Sequence, residues 1–303
     1  MYDVIIIGSG PAGLTASIYT SRAGLKTLVV AGATWGGQLM LTREVENFPG
    51  FENGILGPTL MEQMHKQAER CGAELIFEHA TATNFKSKPF KVTTGNKVYE
   101  AKTVVIATGA SAKWLGLESE TRLRGRGVSV CATCDAPFFR NKKVVVVGGG
   151  DTAMEEALFL SNVVSDVKVI HRRDTLRACK WLQEKAFENP KISFVWNSTV
   201  TEVLGKDRVE GVKLANTVSG EQSRLSCDAV FLAIGYTPNT GIFKNQIELE
   251  ETGYIVVHDE TRTNIEGVFV AGDVADYRYR QAIAAAGSGC KAALDVEKYL
   301  LST

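Results

Sequence analysis

Two glycine fingerprints, each set between an apolar run and a helix-forming stretch, leave this chain few folds to choose from. Near the start, Val4-Ile5-Ile6-Ile7 is continuously apolar, Gly8-Ser9-Gly10-Pro11-Ala12-Gly13 reads G-x-G-x-x-G, Leu14 to Ala23 suits a helix, and Leu25 to Val30 suits a strand. That order is a βαβ crossover, which pairs its two strands in parallel. Gly8 permits the tight turn, Gly10 lets a pyrophosphate approach the backbone, and Gly13 allows the helix to pack closely on the strand. The helix N-terminus then faces the phosphates. The pattern returns in mid-chain, where Lys142 to Val147 is a strand and Gly148-Gly149-Gly150-Asp151-Thr152-Ala153 reads G-x-G-x-x-A. A helix through Met154 to Ser161 and a strand over Val167 to Ile170 complete the second unit.

The duplication predicts an α/β chain with two Rossmann-like dinucleotide-binding domains and therefore two nucleotides. The residues that end each second strand differ. In the first unit the acidic residue that usually holds a ribose hydroxyl is missing, because the positions read Ala31-Gly32, and the ribose contact has no candidate. In the second unit the strand ends in His171-Arg172-Arg173, with Arg177 about one helical turn on. Guanidinium groups suit a phosphate through bidentate, charge-assisted bonds, so the 2′-phosphate of NADP fits better than the bare ribose of NAD. A solvated basic turn is the competing reading.

Between the fingerprints lies Cys131-Ala132-Thr133-Cys134-Asp135. A C-x-x-C pair alternates between dithiol and disulfide without a large backbone rearrangement. Beside two nucleotide sites it predicts a relay in which electrons enter on one cofactor, pass through a second and leave through sulfur. Thiol–disulfide exchange needs one thiolate and one protonated leaving thiol, so Asp135 suits a proton shuttle, and it also suits a helix N-cap. The other four of the six cysteines, Cys71, Cys179, Cys227 and Cys290, have no readable spacing and are expected to be small buried hydrophobes or unreactive thiols.

Bulk properties bound the function. At 303 residues and 45% hydrophobic content the chain buries a sizeable core, and its length favours two domains. Thirty-four basic residues balance thirty-four acidic ones, which gives no electrostatic reason to expect nucleic acid or an anionic membrane as partner. Met1-Tyr2-Asp3 runs directly into the first strand without a basic n-region, and no apolar run approaches the roughly 20 residues of a membrane span, so a reducing cytoplasm is the expected location. A zinc site is not expected, since a closed structural site needs four ligands and no second Cys or His pair accompanies the first.

Further motifs carry a resemblance that spans essentially the whole chain. Gly36-Gly37-Gln38-Leu39, Glu44-Val45-Glu46-Asn47-Phe48-Pro49-Gly50, Ala107-Thr108-Gly109-Ala110, Cys131 to Asp135, Gly148 to Gly150, His171 to Asp174, Ala271-Gly272-Asp273 and Tyr279-Arg280-Gln281-Ala282 occur in that order. Together they resemble the bacterial-type, low-molecular-weight thioredoxin reductases, FAD- and NADPH-dependent disulfide oxidoreductases. The resemblance implies a three-layer ββα form of each domain, with an NADPH domain at 113–241 inserted into a FAD domain at 1–112 and 242–303. It implies FAD contacts at Gly8, Gly10, Pro11, Ala12, Gly13, Gly37, Gln38, Asn47, Thr108, Gly109, Gly272, Asp273, Arg280, Gln281 and Ala282. NADPH contacts fall on Gly148, Gly150, Asp151, Thr152, His171, Arg172, Arg173 and Arg177. Cys134 is expected to face the flavin, Cys131 to attack the thioredoxin disulfide, and Asp135 to move the proton.

The same resemblance implies a homodimer and a rotation of the inserted domain, hinged near Lys113-Trp114 and Tyr236 to Thr240. One departure falls after the cysteines, where Ala136-Pro137 precedes Phe138-Phe139 and bears on how the partner docks; Arg126 and Phe138 are candidate docking residues. An FAD-dependent small-molecule dithiol oxidase of the same fold is the alternative, and it needs no Arg172, Arg173 and Arg177 cluster.

Overall fold

The computed structural model describes residues 1–42 and 44–303, and the chain divides into two compact units, Met1–Ser111 with Thr237–Thr303, and Ala112–Tyr236. In chain order, the elements that shape both are β1 (Tyr2–Ile7), α1 (Pro11–Arg22), β2 (Thr27–Val30), β3 (Glu74–Ile76), β4 (Lys97–Ile106), α2 (Ala132–Asp135), β5 (Lys143–Val147), α3 (Asp151–Ser161), β6 (Asp166–Ile170), β7 (Ala229–Leu232), β8 (Val268–Val270) and α4 (Ala282–Ser302).

In the first unit β3, β2, β1, β4 and β8 lie side by side and all parallel. Ile76, Val30, Ile7, Ile106 and Val270 form one row at their carboxyl ends. A parallel sheet is covered on both faces, which is why its strands read as unbroken apolar runs. Alternate side chains go to opposite layers. Val4, Ile6, Val29, Val105 and Phe269 meet the helices, while Ile5, Ile7, Leu28, Val104 and Ile106 meet Phe85, Phe90, Val92 and Phe243. The second layer is an antiparallel meander: Ala80–Asn84 pairs with Phe90–Thr94, which pairs with the first half of β4. Thus β4 belongs to two layers, and the unit has the three layers expected of it. Helices α1 and α4 touch so closely that a methyl group on Gly289 would sit 2.1 Å from the Ala12 carbonyl oxygen.

The second unit repeats this plan. Val128–Ser129, β7, β5, β6 and Ile192–Val195 form a parallel sheet in that order. Val144, Val146, Val167, Val169 and Phe231 pack against Ala153, Met154, Ala157 and Leu160 of α3. Val145, Val147, Ile170 and Val230 face the antiparallel sheet of Ser198–Leu204, Gly211–Asn216 and Gln222–Ser226 through Val200, Val203, Val212 and Leu214. The chain passes between units along two paired strands, Ala110–Ala112 and Tyr236–Pro238. Among the described residues no helix is long and apolar enough to cross a membrane.

Candidate functional site

In the first unit the fingerprint turn is set by close approach. A methyl group on Gly8, whose φ is 115°, would lie 2.2 Å from the Ala107 carbonyl oxygen, and one on Gly13 would lie 2.0 Å from that of Gly8. Gly10 is different, since nothing stands within 4 Å of where its side chain would begin. It opens α1, which has Pro11 in its first turn and no side-chain cap. The first-turn amides have no side-chain cap and lie at the positive end of a helix dipole beside the open Gly10, and a pyrophosphate fits such a helix start.

Neighbouring loops gather around this turn. Ser9 Oγ donates to the Ala31 carbonyl at 2.8 Å and accepts the Gly36 N–H at 3.0 Å, which hangs the turn Gly37–Leu41, with Gln38, beside Gly10. Gly272, left-handed at φ 77°, comes so near α1 that a methyl group there would be 2.9 Å from the Ala12 side chain, and its N–H donates to Ser288 Oγ at 2.6 Å. Asp273 follows. Burial first, and Asp276 second, push its carboxyl up to about 6 against the pull of Arg280. Asn47 Nδ2 donates to Gln281 Oε1 at 3.1 Å, ahead of Ala282 and α4, and Arg280 takes a left-handed φ of 45°. After β4, Thr108 Oγ1 donates to the Asn239 carbonyl and Asn239 Nδ2 returns a bond to the Thr108 carbonyl, both at 2.9 Å. Asn239 N–H also donates to the Gly109 carbonyl at 3.0 Å. Ser9 was not marked by the sequence, since it occupies a variable position of the fingerprint, and Asn239 was marked only as part of the hinge segment Tyr236 to Thr240, since its bonds here are to residues distant in the chain.

The second unit has the same turn with a different cover. Gly150 is open like Gly10, while a methyl group on Gly148 would meet the Ala233 carbonyl oxygen at 2.4 Å. Gly149, a variable position of the motif, is required by packing: a methyl group there would strike the His171 ring at 2.2 Å. His171 is buried, with Nε2 3.0 Å from the Thr175 carbonyl, and desolvation lowers its pKa below the ordinary imidazole value, so the ring is neutral and wedges the loop. The Arg177 N–H donates to the Gly149 carbonyl at 2.7 Å, which folds the basic loop onto the fingerprint. Arg172, Arg173 and Arg177 are all exposed there. Asp151 is turned to a structural bond, since its Oδ1 accepts the Cys179 N–H at 2.7 Å; Thr152 follows it in the first turn of α3.

Cys131 and Cys134 are joined as a disulfide with their Cα atoms 5.4 Å apart. Cys131 is the N-cap residue of α2, its N–H donates to Ser129 Oγ at 3.0 Å, and its sulfur lies 3.4 Å from Thr133 Oγ1. Buried Ala132 and Ala136 anchor the turn, and Tyr236 Oη donates to the Val130 carbonyl at 2.8 Å. Asp135 is partly buried. Desolvation raises its carboxyl above the ordinary aspartate value, opposed by a hydrogen bond with Ser129. It precedes the 3₁₀ turn Ala136–Phe139 without capping it by its side chain. Arg126 and Phe138 are exposed. Of the other cysteines, Cys227 is buried, with its thiol pushed up to about 12 chiefly by desolvation, and is inert. Cys179 departs from the expected burial: it is exposed, because it opens the helix Lys180–Glu188 at the surface with its N–H tied to Asp151.

A family model described as pyridine nucleotide-disulphide oxidoreductase matches residues 2–289. The thioredoxin reductase of Streptomyces coelicolor is 56% identical over 98% of this chain and 94% of its own length, and that of Rickettsia felis is 53% identical over 98% and 97%. The crystal structure of thioredoxin reductase from Streptococcus pyogenes is 41% identical, covers 100% of this chain and 99% of that chain, and superposes with a TM-score of 0.96. With the match running across nearly the whole length, and with relatives this similar on both sides of the cysteine pair, the chain belongs to the pyridine nucleotide-disulphide oxidoreductase family and, within it, to the thioredoxin reductases.

Proposed function

We propose that this protein reduces the disulfide of thioredoxin with electrons from NADPH, passed through FAD to the Cys131–Cys134 pair. The observation that carries the reading is the bonded cysteine pair with a partly buried carboxyl one residue on, in the same unit as an arginine-bearing fingerprint. FAD belongs to the first unit, held at Gly8 to Gly13, Gly37, Gln38, Asn47, Thr108, Gly109, Gly272, Asp273 and Arg280 to Ala282. NADPH belongs to the second, with Gly148, Gly150, Asp151 and Thr152 at the pyrophosphate and Arg172, Arg173 and Arg177 at the 2′-phosphate. A bound flavin supplies the two-electron exchange between a nicotinamide hydride and a disulfide, which side chains alone do not perform.

The chain's own residues carry the rest. In the reduced pair the Cys131 thiolate attacks one sulfur of the substrate disulfide, breaking that S–S bond and forming a mixed disulfide. Cys134 then attacks the Cys131 sulfur, the mixed disulfide breaks, and the pair closes as two electrons leave on the substrate. Asp135, whose pKa burial raises, gives its proton to the first substrate thiolate released, and as the resulting carboxylate it takes the Cys134 proton during the second attack and passes it to the second departing thiolate. Pair and nicotinamide site share one unit while the flavin site lies in the other, so rotation of the inserted unit about the paired strands Ala110–Ala112 and Tyr236–Pro238 brings each to the flavin in turn. The working protein is a cytoplasmic homodimer.

The donor assignment is tested by replacing Arg172 and Arg173 with alanine. The expected result is a loss of about tenfold or more in kcat/KM for NADPH with little change for NADH, since each charge-assisted bond to the 2′-phosphate contributes about 1.5–3 kcal/mol. Equal losses with both donors would overturn it.

A further inference from the structure

The first unit lacks the carboxylate that a dinucleotide fold sets at the end of its second strand, and the structure shows what stands in the vacant position. β2 ends at Val30, and Ala31-Gly32 follow at the carboxyl edge of the parallel sheet, where such folds receive the adenosine ribose. The neighbouring strand β3 runs parallel to β2, with Ile76 beside Val30, and its continuation is tied to the same segment: the Ala31 N–H donates to the Ile76 carbonyl at 2.8 Å and the Gly32 N–H to the Glu78 carbonyl at 3.2 Å. His79 comes next. Its ring occupies the space into which a side chain at position 32 would project, with Nδ1 3.3 Å and Cε1 3.4 Å from where that Cβ would be. Gly32 is left-handed at φ 82°, so a larger residue is disfavoured there by conformation as well as by the imidazole. His79 is exposed.

We propose that His79 is a specificity-determining residue for the flavin dinucleotide: its imidazole takes the place of the missing carboxylate and hydrogen-bonds the 2′-hydroxyl of the adenosine ribose. A neutral imidazole offers one donor and one acceptor, so either ring nitrogen can serve a hydroxyl, which is itself both. A histidine on the adjacent strand thus does from outside the crossover what an acidic residue does from within it. The recognition is invisible to any reading that looks for the ribose contact only at the end of β2. The inference rests on the assignment of FAD to the first unit.

The test uses the whole chain stripped of flavin and reconstituted with FAD or with an FAD analogue bearing 2′-deoxyadenosine, binding being followed by quenching of flavin fluorescence. The wild type is expected to bind FAD about tenfold more tightly than the deoxy analogue, the loss appropriate to one hydrogen bond. His79→Ala is expected to bind both equally, at the wild type's affinity for the analogue, and His79→Gln to restore part of the preference. Melting temperature without flavin serves as the control and is expected to be unchanged, since the side chain is exposed. A wild type that does not distinguish the two ligands, or a His79→Ala variant that keeps the full preference, would overturn the role of His79. Failure of the wild type to bind either ligand would instead overturn the flavin assignment on which the inference stands.

Discussion

Asp135 and Asp273 are two carboxylates whose pKa values are raised, each mainly by burial, yet their consequences differ. For Asp135 the consequence is kinetic. Its protonated fraction falls as pH rises through the raised pKa, so the acid function proposed for it should be present below that pKa and fade above it. Asp135→Asn should lower thioredoxin turnover by about 10²-fold, the low end of the effect of a positioned acid or base, and should remove this limb from the pH profile of kcat/KM. A variant that keeps both rate and limb would exclude the proton role. For Asp273 the consequence is stability. Its carboxyl titrates at about 6 in the folded chain against 3.8 ordinarily, so between those values the folded state holds more protons than the unfolded one. Stability of the flavin-free chain should therefore fall as pH rises through that window and stay low above it. Melting temperatures of Asp273→Asn across the same range should lack that fall, and parallel curves would contradict the argument. At this scale the sequence discloses groups whose chemistry is tied to a motif, such as the arginines after β6. It conceals the contacts that Ser9, Gly149, Asn239 and His79 make, because each is tertiary and no local pattern marks it.

Strands and helices are legible where one physical constraint dominates. β1, β2, β5 and β6 are buried on both faces and read as apolar runs, and the fingerprints fix the turns that follow β1 and β5. β4 is longer than its apolar core suggests, because its first half is an exposed-to-buried strand of the meander before it enters the parallel sheet. The turn of α2 is too short for any periodicity to announce. The glycines separate two uses of a missing side chain. Gly289→Ala should destabilise the flavin-free protein by about 1–3 kcal/mol, through overpacking of α4 on the backbone of α1 at Ala12. Gly10→Ala should leave the flavin-free melting temperature within a few degrees of wild type and lower bound flavin per chain, because its methyl group enters only the open surface. Thermal melts paired with flavin-to-protein absorbance ratios check both; a Gly10→Ala chain with full flavin would show that this surface holds no pyrophosphate.

At the scale of the whole molecule, duplication is the organising fact. Each unit has its own parallel sheet, its own helix layer and its own antiparallel layer, and the cores of the two are built from separate sets of residues. Ala112–Tyr236 is continuous in sequence, whereas the other unit is assembled from both ends of the chain. The fragment 112–236 should consequently fold alone with a single cooperative transition and bind 2′,5′-ADP, a mimic of the phosphorylated end of NADP; calorimetry of the fragment would show otherwise if it melts without cooperativity. That there are two units was legible because the glycine fingerprint occurs twice, while the paired strands that carry the chain across are too short to read. The central claim, that electrons leave through Cys131 and Cys134, is tested most directly by anaerobic oxidation of NADPH in the presence of oxidised thioredoxin, with wild type and Cys134→Ser side by side. Rapid thioredoxin-dependent oxidation by the wild type and none by the variant is expected, with flavin still bound to both. Equal turnover by the variant, or a flavin-loaded wild type that ignores thioredoxin, would contradict it.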